Sequence, residues 1–223
     1  MAIKLELLKK IHYLAGLNDD ELQFVKKHIT VEQTADKGEI FLIEGEWSDY
    51  LYFLVSGVAK VYKTSVDGKE QIMHIATAGE SLNDVSTFDG GPNAASMEAM
   101  TPVLLYAVKK NDLQGLLEKY SRICFNTIRA MANRVRRDST LVKELSFDHV
   151  TVRLAKLLLK YHEEESEWPR LTQQDIASMI GTTREVVNRS LRTLEEHGAI
   201  RIDRHGISIV NQSALEEMAK AGL

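Results

Sequence analysis

Cysteine is almost absent from this 223-residue chain, with Cys124 the single example. An intramolecular disulfide is therefore excluded. A cysteine-ligated iron–sulfur cluster, which needs about four thiolates, cannot form within one chain. Such cysteine usage fits a reducing, cytoplasmic setting. Long apolar runs are missing too. No segment approaches the roughly 20 consecutive apolar residues of a membrane span, so a membrane role is not expected. The stretch from Met1 to Lys10 alternates apolar and charged residues and lacks the apolar core of a signal peptide. Excess positive charge is also lacking, since the formal net charge is −4. Many DNA-binding proteins confine their positive charge to one face, so this counts only mildly against a nucleic-acid partner. No internal repeat or low-complexity tract is evident.

What remains is ordinary globular material, 44% hydrophobic and 27% charged, enough for a packed core in one large or two small domains. Residues 3 to 29 read as helical, with Asn18 or Asp19 as an N-cap ahead of Leu22, Val25 and Ile29. From about Val31 to Val108 the pattern changes to short strands punctuated by glycine. Leu51–Val55 and Val58–Tyr62, separated by Ser56-Gly57, predict a hairpin. Asp67-Gly68 marks a turn before a strand over Gln71 to Ile75, Asp89 to Asn93 form a loop, and Val103 to Val108 form a further strand. Strands at this spacing predict a closed antiparallel sandwich or barrel.

A long helix is expected from about Asn111 to Ser146. Ile128, Met131, Val135, Val142 and Leu145 follow a 3–4 repeat, with Cys124 and Asp138 on the same stripe. Ordinary core packing explains such a stripe. Its length and its place between two domain-like regions favour an intermolecular helix pair, a homodimer seam. Arg129, Arg134, Arg136 and Arg137 cluster off the seam and read as a solvated face. The resulting division is 1–110, 111–146 and 147–223.

The most telling stretch is Leu171 to Arg189: a helix, a turn at Gly181, and a second helix opening with Thr182-Thr183. Glu185, Asn188, Arg189 and Arg192 fall on one face of that second helix, and Val187, Leu191 and Leu194 on the other. Arginine can donate two hydrogen bonds to guanine O6 and N7, and glutamate accepts from cytosine N4. Arg184, Glu185 and Arg189 thus suit a G·C-containing step, while Asn188 suits an adenine or a phosphate. Thr172, Gln174, Thr182, Thr183 and His205 are candidate phosphate contacts in double-stranded DNA. Simple helix capping explains each threonine taken alone. Ile200–Asp203 and Ile207–Val210 flank Arg204-His205-Gly206 as a hairpin wing, and Glu163 to Glu167 read as an exposed acidic loop.

With these motifs in order, the sequence resembles the cyclic-AMP receptor protein / fumarate–nitrate reductase regulator superfamily of bacterial transcription factors. Gly45-Glu46, Leu51 to Gly57, Asp67 to Glu70 and Ala78 to Glu80 look like its β-roll signature. Arg153-Leu154-Ala155 and Gly181 to Arg189 look like its DNA-binding domain and recognition helix. The resemblance covers nearly the full length. It implies an α+β chain: an N-terminal, jelly-roll-like effector-sensing β-roll, a long dimerisation helix, and a C-terminal winged helix-turn-helix. It also implies an effector-gated homodimer on an inverted-repeat operator with TGTGA-like half-sites, and contact with RNA polymerase if the regulator activates. Asn188 departs from the small residue found at its position.

The sensor departs further. Where cyclic-nucleotide members of the family have a glycine and a ribose-binding glutamate, this chain has Asn83-Asp84. Where they have the phosphate-binding arginine and hydroxyl pair, it has Ala94-Ala95. Leaving a buried phosphate charge unpaired costs several kcal/mol, so cyclic AMP is not the expected effector. On the long helix, Asp138-Ser139 occupy the two nucleotide-facing positions. Asp138 reads either as a charge repelling an anion or as a solvated residue. Asn83 and Val85 stand at the haem-ligand positions of carbon-monoxide-sensing members. His12, His28 and His74 are then the remaining candidates for haem, and a lone histidine is more often structural. Cys124 is either a redox switch across a dimer or a small buried apolar side chain. A cupin-like metalloenzyme is the reading from another class. It is disfavoured because His74 has no nearby histidine partner and no H-E-x-x-H or Cys/His cluster occurs.

Overall fold

The computed structural model describes residues 3–163, 168–203 and 206–220. The N-terminal stretch forms three short pieces, Leu5–Leu8 (α1), a 3-10 turn at His12–Leu14 and Asp19–Lys26 (α2), rather than helix throughout 3 to 29. Gly16, at φ +80°, takes the chain through a turn between the last two. Asn18 caps α2 as expected: its Oδ1 accepts from the Glu21 N–H, and the Glu21 carboxylate accepts from the Asn18 N–H.

The strands are Ile29–Ala35 (β1), Ile40–Leu42 (β2), Tyr50–Ser56 (β3), Ala59–Thr64 (β4), Glu70–Ala76 (β5), Ser81–Leu82 (β6), Ser96–Ala99 (β7) and Val103–Lys109 (β8). They form two four-stranded sheets, ordered β1-β8-β3-β6 and β2-β7-β4-β5. Ser56-Gly57 does not close the expected hairpin, because β3 and β4 lie in different sheets. A Cβ on Gly57, at φ +87°, would stand 2.3 Å from the Pro102 carbonyl oxygen. The glycine serves a crossing between sheets where another backbone passes too close for any side chain. The Val58 N–H correspondingly bonds Thr101 Oγ1.

Strand β3 reads Tyr-Leu-Tyr-Phe-Leu-Val because both its faces are covered. Leu51, Phe53 and Val55 join the N-terminal helices in one apolar cluster. Tyr52 and Leu54 join a second cluster containing Leu42, Ala59, Met97 and Ala99 of the other sheet. A short helix, Asp84–Asp89 (α3), follows β6.

The helix expected over 111 to 146 is two: Lys110–Lys119 (α4) and Ser121–Phe147 (α5). Tyr120 is extended between them (φ −123°, ψ 94°). Its ring packs edge-on against Phe24, and the Lys119 ammonium lies 3.4 Å above the Phe24 ring. These contacts outweigh the helical periodicity at one residue. Then come Val150–Glu163 (α6), Gln173–Ile180 (α7), Arg184–Glu196 (α8), Ile200–Asp203 (β9), Gly206–Ile209 (β10) and Gln212–Lys220 (α9). β9 and β10 pair antiparallel, as a wing should. The architecture is the expected α+β.

The chain divides into two compact units. One runs through Lys63 and from His74 to Arg136; the other comprises Thr64–Met73 and Arg137 onward. In the second unit the end of α5 is tied to α6. Arg153 Nη1 donates to the carbonyls of Glu144, Leu145 and Asp148 at 3.4, 3.5 and 2.9 Å. Lys156 Nζ reaches Asp148 Oδ2 at 2.6 Å and Glu144 Oε1 at 3.4 Å. The Asp148 bond, partly offset by desolvation, raises the Lys156 pKa.

Candidate nucleic-acid interface

The α7–α8 pair is built by local rules. Thr172 caps α7, accepting from the Asp175 N–H at 3.1 Å, while Asp175 Oδ2 accepts from the Thr172 N–H at 2.8 Å and hydroxyl at 2.6 Å. The hydroxyl nominated for phosphate thus already serves as a cap. Gly181 ends α7 in the left-handed region at φ +65°. An added Cβ there would lie 2.6 Å from Leu145 Cδ2 and 2.9 Å from Gln71 Oε1. Gln71 Nε2 also donates to the Met179 carbonyl at 3.2 Å. The turn is therefore short both because its glycine has the φ and because its neighbours leave no room.

Helix α8 divides cleanly. Val187, Ser190, Leu191 and Leu194 are buried, whereas Arg184, Glu185, Arg189 and Arg192 are exposed and Asn188 is half-buried. Glu185, Asn188, Arg189 and Arg192 share one concave surface with Thr193 and Glu196. Arg184 instead reaches across to α7, its Nε donating to Gln173 Oε1 at 3.2 Å. Thr183 is the N-cap of α8, with no side-chain cap bond. Glu185 covers that end: a bond from its own N–H, then the Thr183 hydroxyl, hold its carboxyl below the usual range. Thr182 is half-buried and gives its N–H to the Ala177 carbonyl at 3.0 Å. Gln174 is exposed. His205, with Arg204 beside it, lies outside the described residues, as do four of the acidic-loop residues.

The candidate effector positions are bound up internally. Asp84, 1% exposed, has Oδ2 at 2.8 Å from Arg134 Nη1 and accepts the Tyr13 hydroxyl at Oδ1. Arg134 Nη2 also donates to the Ser81 carbonyl at 3.2 Å. Burial first, and the Asp84 charge second, push the Tyr13 hydroxyl well above the ordinary tyrosine range. Asn83 sits at φ +68°, the one positive φ outside glycine among the described residues. Its Nδ2 donates to the Tyr50 carbonyl at 3.1 Å. Ala95 is buried, Ala94 half-buried and Val85 exposed. Asp138 and Ser139, half-buried and exposed, belong to the second unit. Arg134, expected on a solvated face, is instead the counter-ion of Asp84. A carboxylate buried at the start of a short helix needs a cation. Nothing in the local pattern around Tyr13 pointed to it.

On α5, Ile128, Val135 and Val142 are spaced by seven and expose 64, 64 and 62% of their surface. Met131 is half-buried, and so is Leu145, which packs on the Gly181 turn. Cys124 is half-buried with its Sγ 3.1 Å from the Leu117 carbonyl. His28 Nδ1 lies 3.0 Å from the Phe24 carbonyl, and His74 Nε2 2.8 Å from Glu80 Oε2. Among the described residues no three His, Cys, Asp or Glu side chains converge as metal ligands, and no helix is long and apolar enough to cross a membrane.

Comparison with known proteins gives two family matches, the cyclic nucleotide-binding domain over residues 32–120 and the Crp-like helix-turn-helix domain over 152–218. The CRP-like cAMP-activated global transcriptional regulator of Mycobacterium tuberculosis is 28% identical over 225 residues, spanning 96% of this chain and 99% of the relative. The cyclic AMP receptor protein of Thermus thermophilus is 27% identical over 184 residues, 82% of this chain and 85% of the relative. A solved crp/fnr-family regulator from Eubacterium rectale superposes with TM-score 0.78 at 20% identity, covering 96% and 100% of the two chains. The Mycobacterium relative and the Eubacterium structure are both described as transcriptional regulators.

Proposed function

This chain belongs to the CRP/FNR superfamily of DNA-binding transcription regulators, and on that premise we propose that it acts as a homodimer reading an inverted-repeat operator with TGTGA-like half-sites. The observation that carries this is the exposed face of α8, where Glu185, Asn188, Arg189 and Arg192 stand together over a buried Val187–Leu191–Leu194 side. That face offers donors for guanine and an acceptor for cytosine. Residues 1–110 would sense, 111–146 pair the two chains, and 147–223 bind DNA. The spacing of exposed Ile128, Val135 and Val142 supports the pairing. A gel-shift titration at fixed salt, comparing an inverted-repeat TGTGA duplex with a scrambled one, tests the reading. Equal affinity for the two duplexes would overturn the operator assignment.

The effector we infer is not cyclic AMP. Asp84, at the position that would hold a ribose hydroxyl, is engaged by Arg134 and Tyr13, and Ala94 and Ala95 offer no side-chain donor to a phosphate. An effector acts only through its differential affinity for two states of the protein. Isothermal titration of the purified chain with cyclic AMP should give no binding heat, and tight stoichiometric binding would refute the inference. Were the regulator an activator, its further partner would be RNA polymerase.

A further inference from the structure

The Ile128–Val135–Val142 line of α5 has a flank on either side, and their exposure differs. Cys124, Met131, Asp138 and Leu145 on one flank are all half-buried, whereas Phe125, Ala132, Ser139 and Ser146 on the other are all exposed. Phe125 shows 71% of its surface. From Phe125 to Ser146 the exposed positions alternate spacings of three and four, as the a and d positions of a heptad do. The open seam therefore runs on the Ala132–Ser139 side of the line and not through Met131 and Leu145.

That seam assigns the charges. Arg129, Arg136 and Lys143, all exposed, take the e positions, and Asp138 is the single acid at g. Asp138 has no cation within reach on its own helix face. Arg134, one turn before it, is the counter-ion of Asp84, and Val142 stands one turn after it. Lys143 has Ser139 and Phe147 at the corresponding places. No ion pair joins Asp138 or Lys143 to another described residue.

Heptad geometry then selects one arrangement. In a parallel helix pair, g of one chain faces the following e of the other. Asp138 meets Lys143, and twofold symmetry makes the bridge twice. An antiparallel pair sets e against e, so the three basic residues face the same basic row. A slip of one heptad gives one Asp138 Arg136 as its partner and sends the other past Phe147, the last residue of α5.

We propose that α5 pairs with α5 of a second copy of this chain in parallel and in register, and that reciprocal bridges from Asp138 to Lys143 of the partner specify that arrangement. The proposal rests on the homodimer reading above and adds its orientation, its register and the charges that set them.

Sedimentation equilibrium of the full chain with Asp138→Lys, with Lys143→Asp and with both changes together tests the bridges. Each single change sets like charges opposite one another twice per dimer and should weaken dimerisation at least about fivefold. The double variant reverses the bridges and should return to within about twofold of the native dimer. An equimolar mixture of the two single variants should form heterodimers in preference to either homodimer. Orientation is read separately by oxidising Ala132→Cys and Ser139→Cys, each in a Cys124→Ser background. Parallel, in-register helices bring each cysteine beside its own counterpart, so both variants should cross-link, whereas an antiparallel pair can close at most one. Circular dichroism checks that every variant is folded. A monomeric native chain would overturn the homodimer reading and this proposal with it. A native dimer indifferent to Asp138→Lys, a double variant as weak as the single ones, or failure of either cysteine to cross-link would overturn the proposal and leave the homodimer reading standing.

Discussion

Arg134 Nη1 stands 2.8 Å from Asp84 Oδ2, joining the middle of α5 to a carboxylate that is almost wholly buried. Tyr13 completes the arrangement from the N-terminal 3-10 turn. Removing the cation alone strands the charge, which is far costlier than removing both groups. Arg134→Met should therefore destabilise the chain by about 3 kcal/mol, the low end of the buried-pair range because the Arg134 side chain is 28% exposed. Asp84→Asn combined with Arg134→Met should cost clearly less than the sum of the two single changes. Urea unfolding of the four proteins measures the coupling, and strict additivity would show that the pair contributes nothing.

Tyr13 gives a signed pH dependence. Its folded pKa lies above the ordinary 10.0, so its neutral form is the one the fold favours. The stabilisation is complete below pH 10.0 and declines as pH rises through and beyond that value. Lys156, also raised, loses its contribution in the same direction, so the informative quantity is a difference between proteins. Melting temperatures between pH 9 and 11 should fall more steeply for the native chain than for Tyr13→Phe. Parallel curves would remove Tyr13 as the cause.

Gly181 faces two constraints that substitution can separate. Asn tolerates left-handed φ and Ala does not, but either Cβ meets Leu145 and Gln71. Gly181→Ala should cost about 1–3 kcal/mol, and Gly181→Asn less. If backbone conformation alone matters, the Asn variant will match the native chain in thermal unfolding. Residual destabilisation measures the crowding by Leu145 Cδ2.

Base reading assigned to α8 predicts that Arg189→Ala costs about 1–3 kcal/mol of operator affinity and relaxes the preference at one base pair. Arg189 is exposed, so folding should be untouched. Competition gel shifts against operators altered one position at a time are the measurement, and a loss spread uniformly over all sequences would reassign Arg189 to phosphate.

The exposed repeat on α5 predicts that Ile128→Glu converts a dimer to monomers in sedimentation velocity and abolishes the advantage of a two-half-site operator over a single half-site. A native chain already monomeric at micromolar concentration would dismiss the seam.

Local patterns carried most of the architecture to the page. The Asn18 and Thr172 caps, the Gly181 turn, the two faces of α8 and the β9–β10 ribbon all follow from residues close in sequence. Relationships between distant residues were not legible. Ser56-Gly57 looks like a hairpin because its composition suits any tight backbone passage, and only the approach of Pro102, 45 positions on, makes it a sheet crossing. Tyr120 interrupts a helical periodicity on account of Phe24. Arg134 belonged to a run of arginines with nothing local to distinguish it, and its role emerges from Asp84 fifty positions earlier. For the same reason Asn83 and Asp84 resemble effector contacts in the sequence, whereas the fold turns both side chains to its own use.

The last turn of a long helix is ordinarily where it begins to melt, because its final carbonyls lack partners. In α5 two of those carbonyls, of Glu144 and Leu145, accept from the one Arg153 guanidinium, itself fixed on α6, which also holds the Asp148 carbonyl just past the helix end. The Asp148 N–H, given to the Glu144 carbonyl at 3.0 Å, extends the α5 bonding pattern one residue past the helix. There is accordingly little slack at the joint. A twist or slide imposed on α5 is handed to α6 rather than dissipated in fraying, which gives the junction the character of a splined shaft rather than a hinge.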